Sequence, residues 1–270
     1  MVIVLKKKLL KSLVELTGNP VASGLLRHLS ASRLSKPLIK TYSTAYKIDE
    51  SIMEFPREHY DSLQAFFTRS LKSGTRPFND SPETLISPSD GQLSSYGPVE
   101  DGHQFTIKGH TYSINEIFMD EKRASVYKNG WYFVFYLSPS DYHHFHYPAD
   151  GTVINRYALG NKSYPVNTMG LKYGDKPFET NYRLITELST AYDKLALVKV
   201  GALNVNSVQL YSSSKEAKKG EDFGYFSFGS TILLFVAGVS PFYPTVQEKG
   251  TIHVGEPIGQ WLPHNYSSKN

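Results

Sequence analysis

Apolar side chains change their spacing once along this chain. Over the first 75 residues they recur at helical intervals. Val2, Leu5, Leu9, Leu13 and Leu16 share one helical face, and Thr17-Gly18-Asn19-Pro20 supplies residues that end a helix. A short helix is expected at 21–29. Ser35-Lys36-Pro37 reads as a helix start, because proline fits the first turn. Tyr60, Leu63, Phe67 and Leu71 give a further helical stripe, closed before Arg76-Pro77. From about residue 84 the texture changes. Short runs rich in Val, Ile, Tyr, Phe and Thr alternate with Gly, Pro, Asn and Asp. The segments 105–107, 131–137, 152–159, 183–188, 195–200, 208–211, 225–235 and 251–254 read as strands. Helices first and strands afterwards predict an α+β fold, with a helical region at 1–77 and a β-rich domain at 78–270.

Composition narrows this picture. At 270 residues and 30.4 kDa the chain can bury one large core or two modest ones. The absence of cysteine excludes disulfide scaffolds, thiolate metal sites and thiol nucleophiles. A formal net charge of +4 conceals an asymmetry: residues 1–40 balance to +7, with Glu15 the lone acid, and the remainder to −3. Lys6, Lys7, Lys8 and Lys11 lie beside the first apolar stripe. Such a basic amphipathic helix either lies in the interface of an anionic bilayer or covers the protein's own core. No stretch reaches the roughly 18–20 apolar residues of a spanning helix. The N-terminus does not read as a signal peptide either, so the cytosol is the expected compartment. No basic-aromatic repeat points to nucleic acid.

Three segments carry possible chemistry. Ser87-Pro88-Ser89-Asp90-Gly91 has the composition of a turn. Tyr142-His143-His144-Phe145-His146-Tyr147-Pro148 holds three of the nine histidines, directly after an aromatic strand. Proton transfer, a metal site and a packed structural cluster all remain open there. If the segment is extended, His144 and His146 share a face and His143 takes the other; a turn before Pro148 would bring His143 and His146 together. The third segment runs from Gly220 to Thr231. Gly229 before Ser230 suggests a bulge, a bend or a close backbone approach. Glycine also leaves its carbonyl open to attack by a neighbouring hydroxyl.

In order, these segments resemble the phosphatidylserine decarboxylase proenzyme family. The resemblance covers nearly the whole chain. It runs from Phe66-Phe67-Thr68-Arg69 and Arg76-Pro77 through Ser87-Pro88-x-Asp90-Gly91 to Leu137-Ser138-Pro139-x-Asp141-Tyr142-His143-x-x-His146. It continues with Tyr164-Pro165-Val166-Asn167, Asn181-Tyr182-Arg183 and Val200-Gly201-Ala202-x-Asn204-Val205. It ends with Lys219-Gly220-Glu221 and the most specific fragment, Phe228-Gly229-Ser230-Thr231. His144 stands where relatives often carry arginine.

The resemblance implies self-cleavage between Gly229 and Ser230 by an Asp90, His146 and Ser230 triad. It implies a β chain of residues 1–229, an α chain of residues 230–270, and a covalent pyruvoyl cofactor made from Ser230. That group would form a Schiff base with phosphatidylserine and release CO2 to give phosphatidylethanolamine. His143 is the implied proton donor. No metal is implied. The family also implies a dimer of such two-chain units, and peripheral attachment to the cytoplasmic side of a bacterial cell membrane through residues 1–77. The competing readings are an intact Ser-His-Asp hydrolase, for which Ser230 lacks the Gly-x-Ser-x-Gly elbow, and a non-catalytic lipid-binding relative.

Overall fold

The computed structural model describes residues 28–262 apart from 101–103, 108, 109, 165, 167–175, 202–206, 228, 229 and 248. The amphipathic stretch at 2–16 and most of the helix expected at 21–29 lie outside the described residues.

Beyond residue 28 the N-terminal part is built of short helical pieces. Ser32 accepts from the Leu34 N–H and opens a 3-10 turn at Arg33–Ser35. Pro37 stands at the N-cap of helix α1 (Leu38–Tyr46), as the Ser35-Lys36-Pro37 start predicts. The stripe from Tyr60 to Leu71 does not form one helix. Only α2 (Leu63–Phe67) is helical, capped by the Ser62 hydroxyl on the Ala65 N–H. Leu71 is extended and bridges to Met53. Tertiary contacts outweigh the periodicity here: Arg69 leaves the helix and donates to the Ser140 and Asp141 carbonyls. Ile39, Ile48, Met53, Tyr60 and Phe66 close a small apolar cluster under these pieces.

Strands begin at residue 84. They are β1 (Thr84–Ile86), β2 (Gly91–Pro98), β3 (Gln104–Ile107), β4 (His110–Ser113), β5 (Trp131–Leu137) and β6 (His144–His146). Next come β7 (Gly151–Leu159), β8 (Arg183–Ser189), β9 (Lys194–Gly201), β10 (Val208–Leu210) and β11 (Glu216–Ala217). Last are β12 (Asp222–Phe226), β13 (Ser230–Val236), β14 (Phe242–Pro244), β15 (Gly250–Ile252) and β16 (Pro257–Trp261). Helices Ile114–Phe118 and Glu121–Ser125 interrupt the order, each too short to leave a periodic signal.

An eight-stranded sheet in the order β11-β7-β8-β9-β13-β5-β2-β15 forms the frame. Its described pairings are antiparallel. Strand β13 lies near its middle, with all seven residues buried. Ile232, Leu234 and Val236 point into one core, whereas Leu233 and Phe235 point into the other. Both faces are thus covered, which explains why the strand reads as a continuous apolar run rather than an alternation. Two three-stranded sheets, β10-β12-β6 and β1-β16-β14, contribute Phe145, Phe223, Leu85 and Trp261 to the first core. The β3–β4 hairpin and the two short helices cover the second. The expected single strand at 225–235 is therefore two strands in two different sheets, and Ser230 lies where the chain crosses between them.

Candidate active site

The aromatic strand β5 delivers the chain to Ser138. Asp141 folds the turn there: its carboxylate accepts from the Ser138 N–H at 2.6 Å, and its N–H donates to the Ser138 carbonyl. The chain returns as β6, so the histidine segment takes the extended form, with His144 and His146 on one face.

Strand β6 pairs with β12, placing His144 opposite Tyr225 and His146 opposite Asp222. Gly224 sits in this pairing because a Cβ would come within 2.1 Å of the Gln209 carbonyl oxygen and 2.7 Å of the Phe145 ring. The far end of β12 stays beside His143, where the Phe226 N–H donates to the His143 carbonyl. The chain then passes Phe228 and Gly229, which lie outside the described residues, and enters β13 at Ser230.

Ser230 is wholly buried between Leu137 of β5 and Gly201 of β9. Its hydroxyl has no hydrogen-bond partner among the described residues. Leaving a buried hydroxyl unpaired costs about 1–3 kcal/mol, a penalty that a purely structural residue such as alanine would avoid. His143 shares this corner. Its Nε2 faces the Ser138 carbonyl at 3.0 Å, so that nitrogen carries the proton and Nδ1 is bare. Nδ1 has no partner among the described residues. The ring stacks on Phe67 at 3.9 Å. Burial, and secondarily the charge of Arg69, push the His143 pKa down to about 3, which leaves the ring neutral at ordinary pH.

His146 lies at the other end of the strand pair. Its Nδ1 donates to the Gly220 carbonyl at 2.8 Å. That leaves Nε2 as an acceptor, 3.3 Å from the Tyr142 hydroxyl. Burial lowers its pKa, and the charges of Asp222 and Asp90 oppose that shift.

The Ser87–Gly91 bend is buried and abuts β6: the Pro88 carbonyl accepts from the His146 N–H at 2.8 Å. Gly91 permits this packing, since a Cβ there would come within 2.4 Å of the Tyr136 carbonyl oxygen. Asp90 accepts from Arg76 Nε at 2.9 Å, from Arg76 Nη2 and from the Val254 N–H. The structure thus brings the Asp90 loop to the backbone of His146, and His143 to the strand end at Ser230. Among the described residues no hydrogen bond joins the side chains of Asp90, His146 and Ser230 to one another.

Several neighbours escaped the sequence reading. Arg76 had appeared only as part of a motif, yet it holds Asp90. Asp222 Oδ2 lies 2.6 Å from His144 Nδ1, while His144 Nε2 faces the Thr68 carbonyl at 3.0 Å. No spacing rule pairs residues 78 positions apart. A cavity of about 310 Å³ opens beside this cluster, lined in part by Lys47, Arg69, Arg76, Asp90, Asp141 and Tyr142. Its lining of both signs suits a polar ligand that itself carries both. Among the described residues, no group of three His, Asp or Glu side chains is placed to hold a metal ion.

A family model described as phosphatidylserine decarboxylase matches residues 63–260. A phosphatidylserine decarboxylase proenzyme of Geobacillus kaustophilus is 42% identical over 258 residues, covering 95% of this chain and 98% of the relative. Its counterpart in Halalkalibacterium halodurans is 39% identical over 269 residues, covering 96% of this chain and all of the relative. One from Bacillus thuringiensis (strain Al Hakam) is 40% identical over 261 residues, with 96% and 100% coverage.

Proposed function

The chain belongs to the phosphatidylserine decarboxylase family, and on that premise we propose that it is a self-processing proenzyme that converts phosphatidylserine to phosphatidylethanolamine and CO2. The observation that carries this reading is the buried, unpaired hydroxyl of Ser230 at the junction of β12 and β13. His146 Nε2 takes the hydroxyl proton, and Ser230 Oγ bonds to the Gly229 carbonyl carbon. The peptide C–N bond then breaks, giving an ester and a free amine that receives the proton. Asp222 and, to a smaller extent, Asp90 supply the negative charge that favours protonated His146. Loss of the Ser230 α-proton expels the Gly229 carboxylate. Water then replaces the nitrogen, which leaves as ammonia.

A pyruvoyl group made at position 230 fits its surroundings. Ser230 is wholly buried, its hydroxyl has no hydrogen-bond partner among the described residues, and the His143 ring faces the carbonyl of Ser138, the residue after the Leu137 that pairs with Ser230. The group would supply an electron sink for the electrons released as CO2 leaves. His143 is the residue proposed to return a proton to the substrate carbon. As a neutral ring it must first gain that proton, and a substrate carboxylate beside it favours the charged form. The chains 1–229 and 230–270 stay together after cleavage, because β13 remains paired with both β5 and β9.

The substrate requires contact with a bilayer, and we assign this to the N-terminal part, on the cytoplasmic side of a bacterial membrane. No described helix is long and apolar enough to cross one. Leu29, Leu34 and Leu38 are exposed, Leu34 to 84%, beside Arg33 and Lys36. That combination suits insertion at an anionic interface. Leu34→Glu should weaken flotation with phosphatidylserine vesicles, and unchanged flotation assigns the contact elsewhere.

Intact-mass spectrometry of purified protein tests the central reading. Two chains are expected, the smaller lighter by one ammonia than the serine-ended peptide 230–270. One uncut chain in a preparation that turns over lipid would overturn self-processing.

A further inference from the structure

Tyr142 has one hydroxyl proton and two acceptors for it. His146 Nε2 lies at 3.3 Å and Asp222 Oδ2 at 3.5 Å. The Gly220 carbonyl fixes the His146 proton on Nδ1, so a Tyr142 proton directed at Nε2 occupies the lone pair that a base needs. A proton directed at Asp222 leaves that lone pair free. Asp222 is itself well anchored. Its Oδ1 accepts from the Gly224 N–H at 3.2 Å, and its Oδ2 lies 2.6 Å from His144 Nδ1.

We propose that Asp222, acting through the Tyr142 hydroxyl, is a positioning carboxylate for His146. It draws the Tyr142 proton away from Nε2, and it stabilises the imidazolium once Nε2 has taken a proton. In that state Nε2–H donates to the Tyr142 oxygen, and the Tyr142 hydroxyl donates to Asp222. One proton reorients and one is gained at Nε2, with no other bond changed. This inference rests on His146 as the base of self-cleavage. Asp90 acts on His146 only through its charge: among the described residues its carboxylate bonds Arg76 and the Val254 N–H and reaches neither Tyr142 nor His146. The charged or titratable groups facing His146 are Tyr142, Asp222, His144 and Asp90.

The test is the rate of self-cleavage, followed by intact mass on freshly made precursor from pH 5 to 9. Asp222 raises the His146 pKa, so Asp222→Asn lowers it. The base is active when unprotonated, so the acid limb of the rate profile should move to lower pH. The maximal rate should fall on the order of 10–100-fold, as for loss of a group that orients a general base. Asp222→Glu should restore most of the rate. Tyr142→Phe removes the link, so adding Asp222→Asn to it should change the rate by less than about twofold, in the manner of coupled residues.

An unshifted acid limb in Asp222→Asn, or additive losses in the double variant, would overturn the proposal. If Asp222→Asn fails to fold, the Asp222→Glu profile decides, because a wild-type-like acid limb is required of it. His146→Gln tests the underlying reading separately: undiminished cleavage there removes His146 as the base, whatever Asp222 does.

Discussion

The two strands that meet at the Gly229–Ser230 bond share one core but differ in what else holds them. Strand β13 is apolar along nearly its whole length, and its alternate side chains fill two separate cores. Strand β12 is short and breaks register once. It carries Asp222 and a glycine, and it pairs with the histidines of β6. Burial in two cores holds the first in place; the second is anchored by Phe223 and Phe226 in one core and adds directed hydrogen bonds at Asp222. Ser230 belongs to the first strand, and the histidines that would act on it lie beside the second.

Ser230→Ala is the sharpest break of this contrast. Cleavage should be abolished completely, with one chain in the mass spectrum. Stability should not fall, since the lost hydroxyl has no partner among the described residues. Cleavage at the same bond in that variant would refute Ser230 as nucleophile. Phe235→Ala probes the apolar strand alone. It should cost about 3–5 kcal/mol in denaturant unfolding, because a fully buried ring leaves a cavity. A loss below about 1 kcal/mol would mean that burial of β13 does not anchor this junction. Gly224→Ala probes β12. The new methyl meets the Gln209 carbonyl and the Phe145 ring, so about 1–3 kcal/mol should be lost. Processing should slow as the β6–β12 pairing shifts, and an unchanged rate would uncouple that pairing from cleavage.

A further effect concerns pH. His143 has a folded pKa of about 3, below its ordinary 6.5. Between those values the unfolded chain binds a proton that the folded chain refuses. Stability is therefore fully present above about pH 6.5 and declines as pH falls through that window. His143→Gln should flatten this acid-side decline in urea midpoints, and an equally steep decline would show that other groups cause it.

Much of the architecture was legible in the order of residues. The switch from helical to strand spacing near residue 84 marks the first strand, and 131–137 matches β5. The run at 225–235 reads as one strand and is two, because Gly229-Ser230 signals a bend but not that the chain passes there from one sheet to another. Strand β2 was missed, since Gly91, Ser94, Ser95 and Gly97 dilute its pattern. The helical stripe at 60–71 was cut short, since Arg69 finds its carbonyl partners some seventy residues away.

The candidate site divides in the same manner. Asp90, His143, His146 and the Gly229–Ser230 pair are singled out by the family resemblance that an ordered set of local fragments carries. It could not assign partners. Arg76 claims Asp90, Tyr142 and Asp222 surround His146, and the bare nitrogen of His143 shares a corner with Ser230. Those pairings depend on strand register and on which side chains are shut away from water together. Local periodicity records which residues are apolar; only the folded packing decides which polar groups must satisfy one another, because that need arises when water is excluded.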